Sequence, residues 1–224
     1  MRILLVPLLL LAVLPTYGSI IVFSGDVTIL SSPPTSLLPG VLTSDSAIYG
    51  FAEQQGVLLT SPLDAGITSP GTFICCSPLS PGIIPDGTTV NSYLLYDSPV
   101  TDQGEGTFRE FSGSITFSPG EKIVGIIIGY QNLADTDILL GAPGTTYPPA
   151  SYKLGGLEPG HDEVILSSNM QSVYVNFYTQ VGGEDMIRIL TTTPEPAGFM
   201  LLGSGLIALA LGKRWRGRTG RRQV

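Results

Sequence analysis

Residues Ser172–Tyr178 read SVYVNFY, and their pattern indicates the fold class. Val173, Val175 and Phe177 alternate with the residues between them, which is the period of a strand that buries one face. Short apolar stretches recur along the chain at fairly even spacing, with turn signals such as Pro85-Asp86-Gly87 between them. The pattern predicts an all-β protein with about nine to eleven strands.

The remaining strands follow from the same signals. Ile20–Phe23 and Val27–Leu30 flank Ser24-Gly25-Asp26 and are predicted to form a hairpin. Lys122–Tyr130, KIVGIIIGY, is nearly all apolar and is predicted to be a central strand buried on both faces. Thr107–Phe117 is a strand in which the central Gly is expected to mark a bulge. The other predicted strands are Ala47–Phe51, Gly56–Thr60, Thr89–Tyr96, Val164–Ser167 and Met186–Thr191. A single jelly-roll-like β-sandwich is the architecture that we expect.

The segment 1–18 is predicted to be a cleaved signal peptide. Met1-Arg2 gives a positive start, Ile3–Leu14 is an apolar run of 12 residues, and small residues lead to a cut after Gly18. Twelve helical residues span only about 18 Å, which is too short for a membrane core of about 30 Å. Export would then leave 19–193 as the ectodomain.

The segment 194–224 is predicted to hold the chain in a membrane. Residues 197–212, AGFMLLGSGLIALALG, carry no charge and reach about 24 Å, enough for a short transmembrane helix with snorkelling neighbours. The basic end 213–224 follows directly and favours the cytoplasmic side. The residues expected to stop the chain there are Lys213, Arg214, Arg216 and Arg218.

The part of the chain that is expected to face outward, before Ala197, is strongly acidic. All 18 acidic residues lie between Asp26 and Glu195, against four basic residues, so this part has a net charge of −14. That charge excludes nucleic acid as a partner of the ectodomain. This negative charge favours a surface that resists non-specific adhesion or one that attracts cations.

Few residues suit catalysis. His161 is the only histidine and has no G-x-S-x-G elbow beside it, so neither a serine hydrolase nor a zinc enzyme is expected. Cys75 and Cys76 are adjacent and the only cysteines, so no disulfide framework is predicted. Paired carboxylates would suit a glycoside hydrolase, but in turns they are mostly solvated. These pairs are Asp102 with Glu105, Asp135 with Asp137, Asp162 with Glu163, and Glu184 with Asp185. We therefore predict no enzyme.

Two binding alternatives remain open. Asp135 and Asp137 are weak candidates for calcium, because an extended segment would turn both carboxylates to one side. The alternative is a solvated face, and no other cofactor is predicted. Tyrosines offer a carbohydrate-binding surface, although at alternating strand positions they are more often half-buried sheet residues. The candidates are Tyr49, Tyr93, Tyr96, Tyr130, Tyr147, Tyr152, Tyr174 and Tyr178.

Thr193-Pro194-Glu195-Pro196-Ala197, followed by the apolar and basic parts, resembles the PEP-CTERM sorting signal. The resemblance implies that Pro194, Glu195 and Pro196 are recognised by an exosortase, a transpeptidase-like membrane enzyme of bacteria that make extracellular polysaccharide. The chain would then sit transiently in the inner membrane and be processed to the cell surface or matrix. The alternative is an ordinary anchor that follows a proline-rich linker.

The ectodomain is similar to a group of exported proteins that often carry this tail. The resemblance lies in Phe51–Val57, Gly87–Leu95, Leu139–Pro148 and Asp185–Ile189, and it implies a domain but no mechanism. Within it, the loop Gly141–Pro148 is either a specific feature or a rigid corner. The expected role is a non-catalytic structural or adhesive component associated with extracellular polysaccharide. The alternative is a secreted carbohydrate-binding or carbohydrate-active module.

Overall fold

The chain folds mostly into β-strands, as the alternation predicts. The computed structural model describes residues 20–74, 81–100, 107–149, 157, 160–180 and 183–192, which contain thirteen strands and one helix. The helix is α1 (Tyr130–Leu140). The strands are β1 (Ile20–Gly25), β2 (Val27–Ile29), β3 (Ile48–Ala52), β4 (Val57–Leu58), β5 (Leu63–Ala65), β6 (Gly71–Ile74), β7 (Gly82–Ile84), β8 (Thr89–Asp97), β9 (Phe108–Phe117), β10 (Lys122–Ile127), β11 (Glu163–Leu166), β12 (Ser172–Gln180) and β13 (Asp185–Thr192). Of these, β5, β6 and β7 are not in the predicted set.

Five strands form an antiparallel sheet in the order β1-β9-β12-β11-β6. In β12 the side chains of Val173, Val175 and Phe177 are buried, and those between them are half buried. The same alternation runs along β9. The five-stranded sheet therefore turns one apolar face to the core and presents a polar outer face.

Six strands form the second sheet. Its order is β10-β13-β8-β3-β2, with β4 paired to β8, and β5 and β7 pair separately. All its pairs are antiparallel except β2 with β3. The central strands β8 and β13 are buried at nearly every position. A strand with both faces covered needs no polar alternation, which explains their continuous burial.

Two apolar clusters cover the two faces of the six-stranded sheet. Leu95 and Ile187 pack in one cluster with side chains of the five-stranded sheet, such as Val175. Leu94 lies on the opposite face and packs with Leu133 of α1. Each fully buried aliphatic or aromatic side chain contributes about 1.5–3 kcal/mol, so both clusters stabilise the fold substantially. The six-stranded sheet is thus covered by the five-stranded sheet on one face and by α1 with its neighbouring loops on the other.

The predicted hairpin at the start of the chain was wrong. β1 pairs with β9, whereas β2 pairs with β3 in the other sheet. Gly25 (φ +68°) forms the turn between β1 and β2. Asp26 stabilises this turn through two hydrogen bonds with Ser112. The Asp26 N–H donates to the Ser112 carbonyl at 2.8 Å, and its carboxylate accepts from the Ser112 N–H at 2.9 Å. A Gly-Asp signal specifies a turn, but it does not specify that the flanking strands pair.

Gly113 marks a close approach of two strands rather than the expected bulge. It pairs in register with Gly25 on one side and Val175 on the other. A Cβ at this position would lie 2.3 Å from the Ser24 carbonyl oxygen, so only glycine fits. The register irregularity lies instead in β1, between Ile20 and Val22.

The apolar stretch Lys122–Tyr130 is an edge strand, not the predicted central one. β10 ends at Ile127 and lies at one end of the six-stranded sheet. Its outer side is covered by a loop, because the Ile126 N–H donates to the Ile67 carbonyl at 2.8 Å and the Ile67 N–H donates back at 3.2 Å. Burial by a loop and burial by a strand leave the same apolar signature in sequence.

Helix α1 was not predicted, because its apolar residues do not follow a helical period. Only Leu133, Thr136 and Leu140 are buried, and Ile138 is 98% exposed. One of the three inward positions is therefore polar, while an apolar side chain points outward.

Several predictions fall outside the described residues. These are the signal peptide 1–18, Cys75 and Cys76, the triplet Pro194-Glu195-Pro196, the helix 197–212 and the basic end 213–224. The chain divides into two units, of which Tyr17–Thr193 holds every described residue and Met1–Thr16 with Pro194–Val224 holds none. Within the described residues, no helix is both long and apolar enough to cross a membrane.

Candidate functional site

A buried arginine occupies the face of the six-stranded sheet that packs against α1. The Arg188 side chain lies on β13 and is wholly shielded from solvent. Its Nε donates to Glu53 Oε2 at 2.7 Å, and its Nη2 donates to Glu53 Oε1 at 2.8 Å. This is the bidentate geometry in which guanidinium and carboxylate pair most strongly.

The remaining guanidinium donors fix helix α1 to the sheet. Nη1 of Arg188 donates to the Leu133 carbonyl at 3.0 Å and to Thr136 Oγ1 at 2.6 Å. Nη2 also donates to Asp137 Oδ1 at 2.7 Å. A guanidinium has five N–H groups, and all five are engaged here. The inward threonine of α1 is thus a hydrogen-bond partner, which explains the weak helical period.

Glu53 connects this arginine to the loop Gly141–Pro148. Ser92 Oγ donates to Glu53 Oε2 at 2.6 Å, and the Tyr147 hydroxyl donates to Glu53 Oε1 at 2.6 Å. The same hydroxyl accepts the Ala142 N–H at 2.7 Å. The Arg188 guanidinium also lies 5.6 Å from the centre of the Tyr147 ring. We call Arg188, Glu53, Asp137, Thr136, Ser92 and Tyr147 the Arg188 network.

Burial and hydrogen bonding shift the pKa values of three groups in the network. Burial disfavours a charged Arg188, but Glu53 and then Asp137 outweigh it, so the arginine pKa lies above its ordinary value. Burial raises the pKa of Asp137, and its bond with Arg188 opposes that rise. Burial and the neighbouring Glu53 charge raise the pKa of the Tyr147 hydroxyl. Tyr147 therefore stays a neutral donor.

Hydrogen bonds from two other segments of the chain hold the loop Gly141–Pro148 in place. The Leu37 N–H donates to the Thr146 carbonyl at 2.8 Å, and the Thr146 N–H donates to the Thr35 carbonyl at 3.0 Å. Gln54 Nε2 donates to the Gly141 carbonyl at 2.8 Å. Of the two alternatives that the sequence left open for this loop, these bonds favour the rigid corner.

An open groove of about 690 Å³ borders the Arg188 network, and Asp137 and Tyr147 belong to both. Gln54, Ile138 and Pro148 also line it. Because every N–H group of the guanidinium is already engaged, Arg188 has no donor left for a ligand in this groove. The network therefore holds the fold together and does not present a free cation.

The geometry contradicts the premise of the calcium prediction. Asp135 and Asp137 lie on helix α1, so residues two apart point to different sides instead of one. Asp135 accepts a bond from Gln131 Nε2 at 2.8 Å, whereas Asp137 pairs with Arg188. Across the described part of the chain, no three His, Cys, Asp or Glu side chains are arranged to hold a metal ion.

A second buried polar cluster lies between the two sheets. Asp97 and Asp185 are directly opposite each other on β8 and β13, and both are fully buried. Thr179 Oγ1, on the five-stranded sheet, lies 2.6 Å from Asp97 Oδ2 and 2.5 Å from Asp185 Oδ2. One hydroxyl carries one proton, so it can donate to only one of the two carboxyl groups. The other contact requires a protonated carboxyl group. We call these three residues the Asp97 cluster.

Burial raises the pKa of two acids at this end of the sheet. It raises the pKa of Asp97 to about 7, and the hydrogen bond from Thr179 opposes the rise. The negative charges of Asp26 and Asp45 add to it. Burial likewise raises the pKa of Glu184, which accepts a bond from the Tyr96 hydroxyl at 3.0 Å, to about 7.

The outer face of the five-stranded sheet carries a row of stacked aromatic rings. The Phe108 and Tyr178 ring centres lie 4.8 Å apart with planes 12° apart. His161 stacks on Tyr178 at 4.8 Å with planes 22° apart. Beside this aromatic row, Asn176 Nδ2 donates to Glu110 Oε1 at 2.8 Å. Phe108 is 43% exposed and His161 is exposed, so the row is open to solvent.

The sequence-based candidates are thus scattered. Tyr93 and Tyr96 are buried, Tyr174 and Tyr178 face outward on β12, and Tyr130 is exposed on α1. Among the acid pairs, Asp162 is buried and accepts the Tyr178 N–H at 2.6 Å. Asp102, Glu105 and Tyr152 lie outside the described residues.

Sequence reasoning missed the Glu53–Arg188 pair, although a signal existed. Arg188 is one of four basic residues in the acidic part of the chain and lies within an apolar strand. A lone cation in such a strand requires a buried anion. The four stretches of the ectodomain resemblance supply Glu53, Ser92, Tyr147 and Arg188 respectively, which the fold brings together.

The chain was compared with protein-family models, with curated proteins and with solved structures. No family model, no curated protein and no solved structure matches it significantly.

Proposed function

We propose that this chain is an exported protein sorted through its PEP-CTERM tail, and that its ectodomain is a non-catalytic, adhesive β-sandwich that binds extracellular polysaccharide. The signal peptide directs export, and the tail holds the chain in the inner membrane until an exosortase acts at Pro194-Glu195-Pro196. The processed protein then resides at the cell surface or in the matrix. The aromatic row on the outer sheet face is the observation that carries the binding part of this proposal.

The aromatic row suits a sugar polymer for two reasons. Phe108 and His161, at the two ends of the row, each stack one ring face on Tyr178 and can turn the other face to the apolar C–H face of a pyranose ring. Polar side chains beside them, Glu110 and Asn176, offer hydrogen-bond partners to sugar hydroxyl groups. Both kinds of contact are arranged along neighbouring strands, so they can follow an extended chain.

The charge of the ectodomain favours neutral polysaccharides. The ectodomain 19–193 has a net charge of −13, which repels alginate-like or other anionic polymers at low salt. Glu110 lies beside the aromatic row itself. Neutral glucans are therefore the class of ligand that we expect.

Retention on neutral polysaccharides tests the binding proposal. The full-length chain in mild detergent is applied to cellulose and curdlan, and its migration is measured in gels that contain dextran. We expect Phe108→Ala and Tyr178→Ala to weaken retention about tenfold, the scale of one lost aromatic contact. Tyr130→Ala is the matched control, because Tyr130 and Phe108 are both 43% exposed and lie on different layers. Equal losses in Phe108→Ala and Tyr130→Ala, or no retention of the wild type, would refute the proposal.

The sorting part is tested independently. A tagged chain with Glu195→Ala is expected to stay full length in the inner membrane, whereas the wild type is shortened and released. Deleting the processing enzyme should reproduce the defect of Glu195→Ala. A wild-type chain that remains full length in the inner membrane contradicts the sorting proposal and leaves the binding test unaffected.

A further inference from the structure

Strand β1 is an open edge of the five-stranded sheet. Among the described residues β1 pairs only with β9, so the backbone groups along its other edge point away from the sheet. Three consecutive apolar side chains on it are half exposed: Ile21 at 50%, Val22 at 54% and Phe23 at 52%. An uncharged, β-branched edge of this kind is a template for pairing with another strand.

The edges of the six-stranded sheet differ from β1. β10 is covered by the loop at Ile67, through the reciprocal bonds between Ile67 and Ile126. β2 is only three residues long, and the chain beyond it stays on the sheet because the Leu30 N–H donates to the Gly50 carbonyl at 2.8 Å. β1 is longer and carries neither a charge nor a proline, the devices that usually block edge pairing.

We propose that β1 is a self-association surface, on which two copies of this chain pair antiparallel about a twofold axis. The strand requires a partner that is extended, apolar and uncharged, and β1 of a second copy meets all three requirements. A twofold pairing is closed, so it yields a dimer instead of a filament. The outward residues of β9 beside it, Ser112, Ser114 and Thr116, are also uncharged, so no like charges meet at the junction.

The short segment that would precede β1 after processing favours a second copy as the partner of this edge. If the proposed cleavage after Gly18 occurs, only Ser19 precedes β1, which is too short to fold back over the edge. This step rests on the proposed function. Two copies paired in this way form a continuous ten-stranded sheet with both aromatic rows on outer faces. Such a dimer would bind one polymer twice and gain avidity.

The association should be weak and should strengthen with salt. Pairing of one short edge buries less than a standard stable interface of about 1,600 Å². Two ectodomains that each carry −13 repel each other over a Debye length of about 10 Å at 0.1 M salt and about 3 Å at 1 M. Dimers are thus expected at high protein concentration in high salt.

Sedimentation velocity of the exported chain, which has lost 1–18 but keeps the C-terminal tail, tests the proposal in mild detergent. The wild type should shift from monomer to dimer as salt rises, whereas Val22→Lys should remain monomeric. The matched control is Ile83→Lys, because Ile83 is 65% exposed on β7 and its variant should dimerise like the wild type. All variants keep the same tail, so any difference between them arises at β1. A Val22→Lys chain that dimerises like the wild type overturns the proposal, as does a wild type that stays monomeric.

A second measurement applies if Val22→Lys does not fold. Amide hydrogen exchange of wild-type β1 is compared in dilute and concentrated samples at high salt, and slower exchange in Ile20–Gly25 at high concentration is expected. Exchange that is independent of concentration refutes the pairing. Phe108→Ala separates the two proposals, since it should dimerise normally while its retention on polysaccharide is weakened.

Discussion

Two buried polar clusters include residues of the same central strand, β13, and the negative charge of their carboxyl groups is balanced differently. Arg188 meets two carboxylates, and all five of its donors are engaged. At the Asp97 cluster, three residues earlier on β13, two carboxyl groups share one hydroxyl, and Asp97 Oδ1 has no hydrogen-bond partner among the described residues. A cation balances the charge in the first cluster, whereas burial raises the pKa of Asp97 to about 7 in the second.

The two clusters also join different layers. Residues alternate along β13, so Arg188 faces α1 while Asp185 faces the five-stranded sheet. The Arg188 network therefore fixes the helix and the loop Gly141–Pro148 to the six-stranded sheet. The Asp97 cluster links the two sheets through Thr179. Changing each cluster separately should show which junction depends on charge pairing and which depends on pH.

The largest expected effect is at Arg188. Replacing Arg188 with Met leaves the buried Glu53 carboxylate and the half-buried Asp137 carboxylate without their cation, and we expect the free energy of unfolding to fall by about 3–5 kcal/mol. Urea denaturation measures this change. Lys122→Met is the control, because Lys122 is exposed on β10 and should change stability by less than about 0.5 kcal/mol.

A double variant sharpens this prediction. Adding Glu53→Gln to Arg188→Met removes one uncompensated charge, so the double variant should be more stable than the sum of the single losses predicts. Additive losses, or an Arg188→Met cost no larger than that of Lys122→Met, would show that the pair is not a buried ion pair in solution.

The second effect concerns pH at the Asp97 cluster. The pKa of Asp97 is raised to about 7 in the folded chain, above its ordinary value of 3.8. The folded state therefore holds a proton that the unfolded state has released, and stability falls as pH rises through this window. The slope is about 1.4 kcal/mol per pH unit for each such group. Glu184 also lowers the free energy of unfolding as pH rises, because its pKa in the folded chain is about 7 as well.

Asp97→Asn tests the proton at this cluster. The amide is neutral at every pH, so we expect the variant to exceed the wild type in stability at pH 8 and to show a shallower fall between pH 5 and pH 7. Thermal melting across this range measures both. An unchanged slope in Asp97→Asn would mean that Asp97 is ionised throughout and that Thr179 donates to it alone.

A smaller effect is expected at Tyr147. Tyr147→Phe removes the hydroxyl that donates to Glu53 and accepts the Ala142 N–H, which leaves a buried donor unsatisfied. The expected loss is about 1–3 kcal/mol, with faster hydrogen exchange at the Ala142 amide. Tyr174→Phe, on the open face of β12, should change neither quantity, and equal effects in the two variants would contradict the role of Tyr147.

The fold class could be predicted from sequence wherever one face of a strand is buried. In Ser172–Gln180 the period of two is directly visible, because the five-stranded sheet has a polar outer face. The stretch at β10 is buried as well, but its coverage comes from a loop, so its edge position could not be read from composition. Pairing partners, such as β1 with β9, depend on contacts between distant residues that no local pattern encodes.

The polar sites were harder to predict than the strands. A carboxylate at Glu53 or Asp97 looks the same in sequence whether it is solvated or buried, since only the fold decides its partners. Arg188 was recognisable as an anomaly within an apolar strand, but its partners lie 135 and 51 residues away. Helix α1 was hidden because its inward Thr136 serves the arginine instead of the core.

The smallest expected effect separates Asp135 from Asp137. Both are carboxylates on α1, but only Asp137 contacts Arg188, whereas Asp135 bonds to Gln131 one helical turn earlier on the exposed side. Asp135→Asn should change the free energy of unfolding by less than about 0.5 kcal/mol, the scale of an exposed helical pair. Saturating calcium should shift the melting temperature of the wild type by less than about 1 °C, because an ion that does not bind the folded state cannot stabilise it. A calcium-dependent rise that Asp135→Asn abolishes would instead show that the helix turns this carboxylate towards a metal ion.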